Sequence, residues 1–379
     1  MKLRFNKIKV SAFRVPIEKY VATSFGVMRD RPAVFVQLEA DDGVKGWGEI
    51  FANWPAAGAE HRARLLIEDI ADVVFDIDAQ TPSEFWEQLD SRTRIRAGQC
   101  GEWGPFNQVI AGLDTALNDI AARRENVPLA QWLNKDAPKS VPVYASGIPV
   151  YTAKDTINEA RASGIKAFKV KVGFDRSKDL AALEKISTDI GQDERLFADA
   201  NQGWSPEEAV SFMQTADRFG LGWIEEPVTA DTSLSQWQAL ASQIKTPIAA
   251  GENIFGEDSF AEALASKAFK YVQPDVAKWG GVTGCYRVAR STVASGFTYC
   301  PHFLGGGIGL AASAHILAAT GGDGLLELDV NPNPLRDTFL TNEIQDGAWT
   351  IGTKPGLGID ELPDAIMQFK TLTLEKSRP

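Results

Sequence analysis

The sequence predicts an α/β protein: a parallel β/α barrel preceded by a smaller α+β unit. Three observations carry this. First, from about residue 140, eight short apolar runs alternate with amphipathic helical stretches: VPVYAS, AFKVKVG, RLFADANQ, GWIEEP, PIAAGEN, YVQPDV, FTYCPH and LLELD. Second, the runs end near Ser146, Lys171, Asp199, Glu225, Glu252, Asp275, His302 and Glu327, so successive ends lie 23 to 28 residues apart. That spacing suits one strand, one helix and two loops, and eight such units make a (β/α)8 barrel of ordinary size. It is too long for a leucine-rich repeat and lacks that consensus. Third, every run ends in a polar or charged residue, where such a barrel carries its chemistry.

The elements follow in chain order. VSAFRVPI and PAVFVQLEADDGVKGWGEI alternate at period two like strands, with Asp41-Asp42-Gly43 as a hairpin turn. AEHRARLLIEDIADVVF, PSEFWEQLDSRTRI and NQVIAGLDTALNDIAARR carry helical spacing, and the last ends in basic residues that suit a helix C-terminus. Residues 1–130 form the α+β unit and residues 131–355 the barrel. Residues 356–379 hold Pro-Gly-Leu-Gly and a short helical segment, expected to return to the first unit.

Composition narrows the function classes. The 379 residues are 44% hydrophobic and 23% charged, ordinary globular values that exclude bulk disorder. A net charge of −11 argues against a nucleic-acid partner. Cys100, Cys285 and Cys300 match neither a disulfide framework nor a zinc pattern. The N-terminal residues lack the apolar core of a signal peptide, and no stretch reaches the ~20 apolar residues of a membrane span. A cytoplasmic protein with no membrane partner is expected.

Lys169 and Lys171 lie two apart on one strand, so both face the barrel interior while Phe168, Val170 and Val172 face the helices. Two neighbouring ammonium groups depress each other's pKa, and a lysine so lowered is a general base. Lys-x-Lys alone also describes a solvent-facing pair. Asp199, Glu225 and Glu252 end three consecutive strands, where three carboxylates repel one another without a cation. Oxygen-only donors point to Mg²⁺, with Mn²⁺ as the variant; a helix cap or surface pair explains any one of them taken singly. In Ile224-Glu225-Glu226-Pro227 either glutamate can face inward, and the first is assigned. Asp275 and His302 end adjacent strands and form a carboxylate–imidazole pair, a second acid/base. His61 and His315 read as structural. Glu327 faces inward from LLELD, either to hydrogen-bond a substrate carboxylate or to pair locally. The glycine stretches 305–309 and 280–284 are tight turns or anion cradles; neither is a Walker loop.

Taken in order, Lys169-Val-Lys171, Asp199-Ala-Asn201, Ile224-Glu-Glu-Pro227, Gly251-Glu252-Asn253, Pro274-Asp275 with Lys278-Trp-Gly-Gly281, and Pro301-His302 resemble the enolase superfamily, in its mandelate-racemase-like subgroup. The resemblance covers essentially the whole chain. It implies a (β/α)7β barrel capped by an α+β domain that both termini build. It also implies Mg²⁺ on Asp199, Glu225 and Glu252, with Lys171 and the His302–Asp275 pair on opposite faces of a small carboxylate substrate. Lys169 then assists Lys171 and neutralises the substrate carboxylate, Asn201 and Glu327 are substrate-side groups, and Lys278 gives support. Asp at position 275 favours a Lys/His pairing over the Lys/Lys pairing of muconate-lactonizing relatives.

What the resemblance implies is proton abstraction next to a carboxylate through an enediolate. Dehydration of a hydroxy acid or acid sugar is the expected reaction. Racemisation, epimerisation or lactone cycloisomerisation with the same residues is the alternative, and a non-catalytic acid-binding barrel the second. Cap segments Tyr20 to Arg31, Phe51 to Pro55 (with Asn53 and Trp54) and Gln99 to Trp103 are specificity candidates, or plain surface loops. Homo-oligomers are expected by analogy.

Overall fold

The computed structural model describes residues 3–23, 26–339 and 344–379. β1 (Phe5–Thr23), β2 (Gly26–Ala40) and β3 (Lys45–Ile50) form an antiparallel meander. Alternate residues Ile8, Val10 and Ala12 of β1 and Val34, Val36 and Leu38 of β2 are fully buried in the cap's own core, while Phe13, Val15, Ala33 and Phe35 on the opposite face pack into the barrel's core. Gly43 makes the β2–β3 turn at φ 82°, and Asp42 accepts the Val44 amide within it.

Helices cover the buried face. α1 (Gly58–Leu65) runs through one wide turn, Leu66–Ile70, into α2 (Ala71–Asp76). α3 (Pro82–Cys100) starts on the Thr81 side chain and stops at Gly101, φ 70°. α4 (Trp103–Arg124) lies against β3 at backbone distance, because a Cβ on Gly48 would overlap the Gly112 carbonyl oxygen.

The barrel strands are β4 (Ser140–Pro149), β5 (Ala167–Lys171), β6 (Arg195–Asp199), β7 (Ile224–Glu225), β8 (Ile248–Ala250), β9 (Tyr271–Val272), β10 (Thr298–Tyr299) and β11 (Leu326–Asp329). They pair in parallel in the order β11-β4-β5-β6-β7-β8-β9-β10. Among the described residues, no ladder joins β10 to β11. Across that seam the Leu325 amide donates to Cys300 Sγ (3.4 Å) and the Phe303 amide to Glu327 Oε2 (3.0 Å). A helix of eight or more residues follows each of the first seven strands, whereas only the single turn Pro334–Asp337 follows β11, so the barrel is of the (β/α)7β form.

Inside, Tyr144, Phe197 and Trp223 make an aromatic floor, packed with Ala167, Ala249, Cys300 and Leu325. The rings of Phe197 and Trp223 stack at 3.5 Å, with Tyr144 edge-on to both. The floor fills the barrel interior below the polar strand ends.

β12 (Ile344–Gln345) and β13 (Ala348–Thr350) form a hairpin on the start of β4. The tail has a single tight helical turn at Asp364–Phe369 and then a strand, β14 (Lys370–Ser377), antiparallel to β1 from Lys7↔Ser377 to Phe13↔Lys370. The cap sheet is therefore β14-β1-β2-β3. The tail strand was legible as the alternation in KTLTLEKS, which the helical reading passed over. Among the described residues, no helix is long and apolar enough to cross a membrane.

Candidate active site

The strand register assembles the site. Lys171 of β5, Asp199 of β6 and Glu225 of β7 are successive partners across the sheet. Phe168 and Val170 alternate outward into the helix-facing core, leaving Lys169 and Lys171 inward. Lys169 Nζ sits 2.5 Å from Glu225 Oε1, 2.7 Å from Glu327 Oε1 and 3.7 Å from Asp199 Oδ2. Lys171 Nζ lies 2.5 Å from Asp199 Oδ2. Lys169 is sealed, and the Lys171 side chain keeps 19% of its exposure.

These contacts correct one expectation. The lysines do not lower each other toward neutrality here. Burial favours the neutral amine at both, but Glu225 and Glu327 hold Lys169 well above the ordinary lysine value. Asp199 likewise raises Lys171, with Lys169 the opposing charge. Ion pairing outweighs like-charge repulsion because each ammonium has a carboxylate at contact distance.

The second half of the site is built on β9, β10 and the loop after β8. Asp275 and His302 bridge in parallel just beyond their strands. His302 Nδ1 lies 2.7 Å from Asp275 Oδ2, and its Nε2 lies 2.9 Å from Glu252 Oε2. Burial disfavours the imidazolium, yet Glu252, Glu327 and Asp275 raise His302 well above its usual value. Lys278 Nζ contacts Glu252 Oε2 (2.7 Å) and Asn253 Oδ1 (3.2 Å). Burial opposes ionisation of Glu252, but His302 and Lys278 pull it well below the carboxylate range. Glu327 accepts from Ser146 Oγ (2.5 Å) and the Phe303 amide; against burial, Lys169 and His302 bring it down to about 2.

The two glutamates after Ile224 part company. Glu225 points at Lys169, while Glu226 takes the left-handed φ of 37° and turns to Gln202 Nε2 (3.0 Å) and Asn253 Nδ2 (2.9 Å). Asn201, also left-handed at φ 44°, clasps Asp199 through its backbone amide (2.8 Å) and its side-chain amide (3.1 Å). Gln273, which the sequence reading passed over, donates to Glu225 Oε2 at 2.7 Å. Its signal was the alternation Tyr271, Gln273, Asp275 on the inward face.

Asp199, Glu225 and Glu252 fit a hard divalent ion in donor type and in charge. Six carboxylates (Asp199, Glu225, Glu226, Glu252, Asp275, Glu327) face four cationic groups (Lys169, Lys171, Lys278, His302). In this arrangement the three carboxylates are drawn to separate partners, and among the described residues no three His, Cys, Asp or Glu side chains gather around one point.

The cap candidates are placed as follows. Asn53 Nδ2 donates to the Leu304 carbonyl (2.8 Å), on the loop after His302. Trp54, joined to Pro55 by a cis peptide, is held at its carbonyl by Arg62, and a Cβ on Gly26 at the hairpin tip would touch its ring. Ser24 and Phe25, within the Tyr20–Arg31 candidate, lie outside the described residues. Gln99–Trp103 joins α3 to α4 on the cap flank, with Glu102 3.1 Å from His61. His315 accepts the Ala130 amide at Nδ1.

A capped (β/α)7β barrel with this ordered set of lysines, carboxylates and a His–Asp pair defines the enolase class of fold. Residues 7–133 match the mandelate racemase / muconate lactonizing enzyme N-terminal domain, and residues 152–365 the enolase C-terminal domain-like family. The chain belongs to the mandelate racemase/muconate lactonizing enzyme group of the enolase superfamily. It is similar to D-galactarolactone cycloisomerase of Agrobacterium fabrum, 29% identical over 90% of this chain and 92% of that one. A mandelate racemase/muconate lactonizing enzyme structure from Bordetella bronchiseptica RB50 is 42% identical, with TM-score 0.90 and coverage of 96% and 98% of the two chains. L-talarate dehydratase from Polaromonas sp. JS666, solved with Mg and L-glucarate, is 25% identical, with TM-score 0.82 and coverage of 100% and 99%. The group thus includes enzymes that dehydrate acid sugars and enzymes that cycloisomerise their lactones.

Proposed function

We propose that this protein is a Mg²⁺-dependent acid-sugar dehydratase. The observation that carries the reading is the placement of a partly accessible Lys171 and of His302, held by Asp275 at 2.7 Å, around the carboxylates Asp199, Glu225 and Glu252. Bound by Asp199, Glu225 and Glu252, the ion would supply charge to a substrate carboxylate as its α-proton leaves.

The chain's own residues supply the rest. Lys171 is the base. With Asp199 engaged elsewhere, the contact that holds its proton is gone, and neighbouring Lys169 then acts to lower it. Lys169, sealed beneath and fixed by Glu225 and Glu327, keeps its charge and steadies the substrate carboxylate. His302 is the acid: its proton goes to the departing β-hydroxyl, which leaves as water, and the resulting enol becomes a 2-keto acid. Asp275 fixes the ring so that Nε2 carries the transferable proton.

A second reading, cycloisomerisation of a sugar lactone or epimerisation, is favoured by the likeness to the D-galactarolactone enzyme. Epimerisation uses the same two groups, with reprotonation of the α-carbon in place of hydroxide loss; in a lactone the ring C–O bond breaks after α-proton removal, and the ring carboxylate leaves in place of hydroxide. The test is a panel of mono- and diacid sugars and their lactones in D₂O with Mg²⁺, followed by proton NMR. A 2-keto acid from one compound, lost in Lys171→Ala and in His302→Asn with the fold retained, supports dehydration. Deuterium next to the carboxylate without keto acid supports the second reading. Wild-type activity in both variants overturns the acid/base roles.

A further inference from the structure

The two dyad residues sit on two loops, and each loop runs into a barrel helix whose first turn rests on a carboxylate supplied by the cap. After His302 comes the helix Gly307–Thr320. Its entry amides, Gly306 and Gly309, donate to Glu49 Oε1 (2.5 Å) and Oε2 (2.8 Å). After Asp275 and Lys278 comes the helix Gly281–Ala294. There the Thr283 amide donates to Asp114 Oδ2 (2.8 Å) and the Thr283 hydroxyl to Oδ1 (2.6 Å). Glu49 lies on β3 and Asp114 on α4, and both side chains are buried.

This explains the two glycine stretches. A Cβ on Gly305 would come within 2.7 Å of Glu49 Oε1, and one on Gly281 within 2.5 Å of Asp114 Oδ2. The cradles are real, and the carboxyl groups in them belong to the cap; burial pushes both Glu49 and Asp114 up to about 7, against the pull of the helix amides. Helix N-terminal amides favour a carboxylate there through both hydrogen bonds and the helix dipole. The strand β3 and its continuation add two further ties. Asn53 holds the Leu304 carbonyl, and the Phe51 amide donates to the Ala277 carbonyl (3.3 Å) while its ring lies under Lys278 Nζ at 4.9 Å. Each dyad loop is therefore gripped twice, by a carboxylate and by the 51–53 segment.

We infer that Glu49 and Asp114 are positioning residues: the cap, through these two carboxylates, sets the relative placement of His302 and Asp275. Neither touches the reacting groups. Displacing the cap's hold on either loop moves one member of the dyad against the other, while Lys171 on β5 stays where it is. The consequence for turnover rests on the acid role proposed for His302; the geometric consequence does not.

The chain has three histidines, so protein labelled only at histidine gives three imidazole signals. His302 reports the dyad. His315, inside the helix Gly307–Thr320, reports the helix that Glu49 caps. In Glu49→Gln and Asp114→Asn the His302 signal is expected to shift beyond its linewidth and His315 to stay in place. With the substrate found above, the His302-dependent step is expected to slow about 10-fold, the lower end for outer-sphere partners. Lys171-dependent α-deuterium exchange should remain within twofold. An unmoved His302 signal in both folded variants overturns the inference. So does a joint movement of His302 and His315, which would mean that the carboxylates only stabilise helices. If Glu49→Gln fails to fold, Asp114→Asn with Asn53→Ala carries the same test. If no substrate turns over at all, the function proposed above fails, and the histidine signals still decide the positioning role.

Discussion

Removing divalent cations should destabilise this protein by an amount that mass action at the proposed carboxylate site makes calculable. Six carboxylates around the mouth meet four cationic partners. Glu226 is the clearest sign of the excess: burial, and then Glu252, push it well above the carboxylate range, and its contacts are amides alone. A divalent ion at a hundred times its dissociation constant stabilises the folded state by about 2.7 kcal/mol. Unfolding entropy of about 2.1 cal/mol/K per residue gives about 0.8 kcal/mol/K for the 379-residue chain, hence a midpoint shift of about 3 °C. The assay is scanning calorimetry at pH 8, comparing EDTA with saturating Mg²⁺ at matched ionic strength. The same scan on Glu252→Gln should show no Mg²⁺ response. A wild-type midpoint that follows ionic strength alone, indifferent to Mg²⁺, would refute the charge argument whatever the activity.

Two further outcomes are expected. Burial holds His315 down at about 4, against about 6.5 for a free imidazole, so the unfolded chain takes up a proton there that the folded chain refuses. Stability from this group is complete above pH 6.5 and falls by about 3 kcal/mol as pH drops toward 4; urea midpoints across that range should drop less steeply in His315→Gln, and equal slopes would show the group is silent. At Gly48, a methyl group would overlap the Gly112 carbonyl oxygen, which belongs to backbone and cannot swing away. Gly48→Ala should therefore cost about 3 kcal/mol, at the upper end for overpacking, in chemical denaturation; a loss under 1 kcal/mol would mean α4 slides freely on β3.

The barrel was legible because its signal repeats. Eight runs with eight polar ends fix strand count, direction and the site's position, and the alternation in AFKVKVG fixes which residues face inward. The Asp275–His302 pair was legible from adjacent strand ends, whereas the other site residues were legible as types but not as partners. Lys169 and Lys171 read as a mutually depressing pair because their spacing is local, whereas the carboxylates that reverse the effect come from strands 28 to 158 positions away. Gln273 shared the inward alternation of Tyr271 and Asp275 but stayed hidden because a neutral amide does not stand out among charged strand ends. Glu49 drew no reading of its own, since nothing near it in sequence announces a helix start 257 positions on. The tail strand was missed because the alternation in KTLTLEKS was passed over for a helical reading, and its partner β1 lies at the opposite end of the chain.

That last pairing has a consequence for how the molecule is made. Ser11 and Thr373 share a hydrogen bond across 362 positions. At about 5–20 residues per second, β1 waits roughly 20 to 70 s for β14 to be synthesised. Over that interval the edge from Lys7 to Phe13 offers unpaired amides and carbonyls to any passing strand. The lysines at positions 7 and 9 place charge along that edge, a guard against strand addition that matters most before β14 arrives. A cell that slows translation late in this message would lengthen the exposure, and the loss would show as aggregated nascent chains rather than as a less stable mature protein.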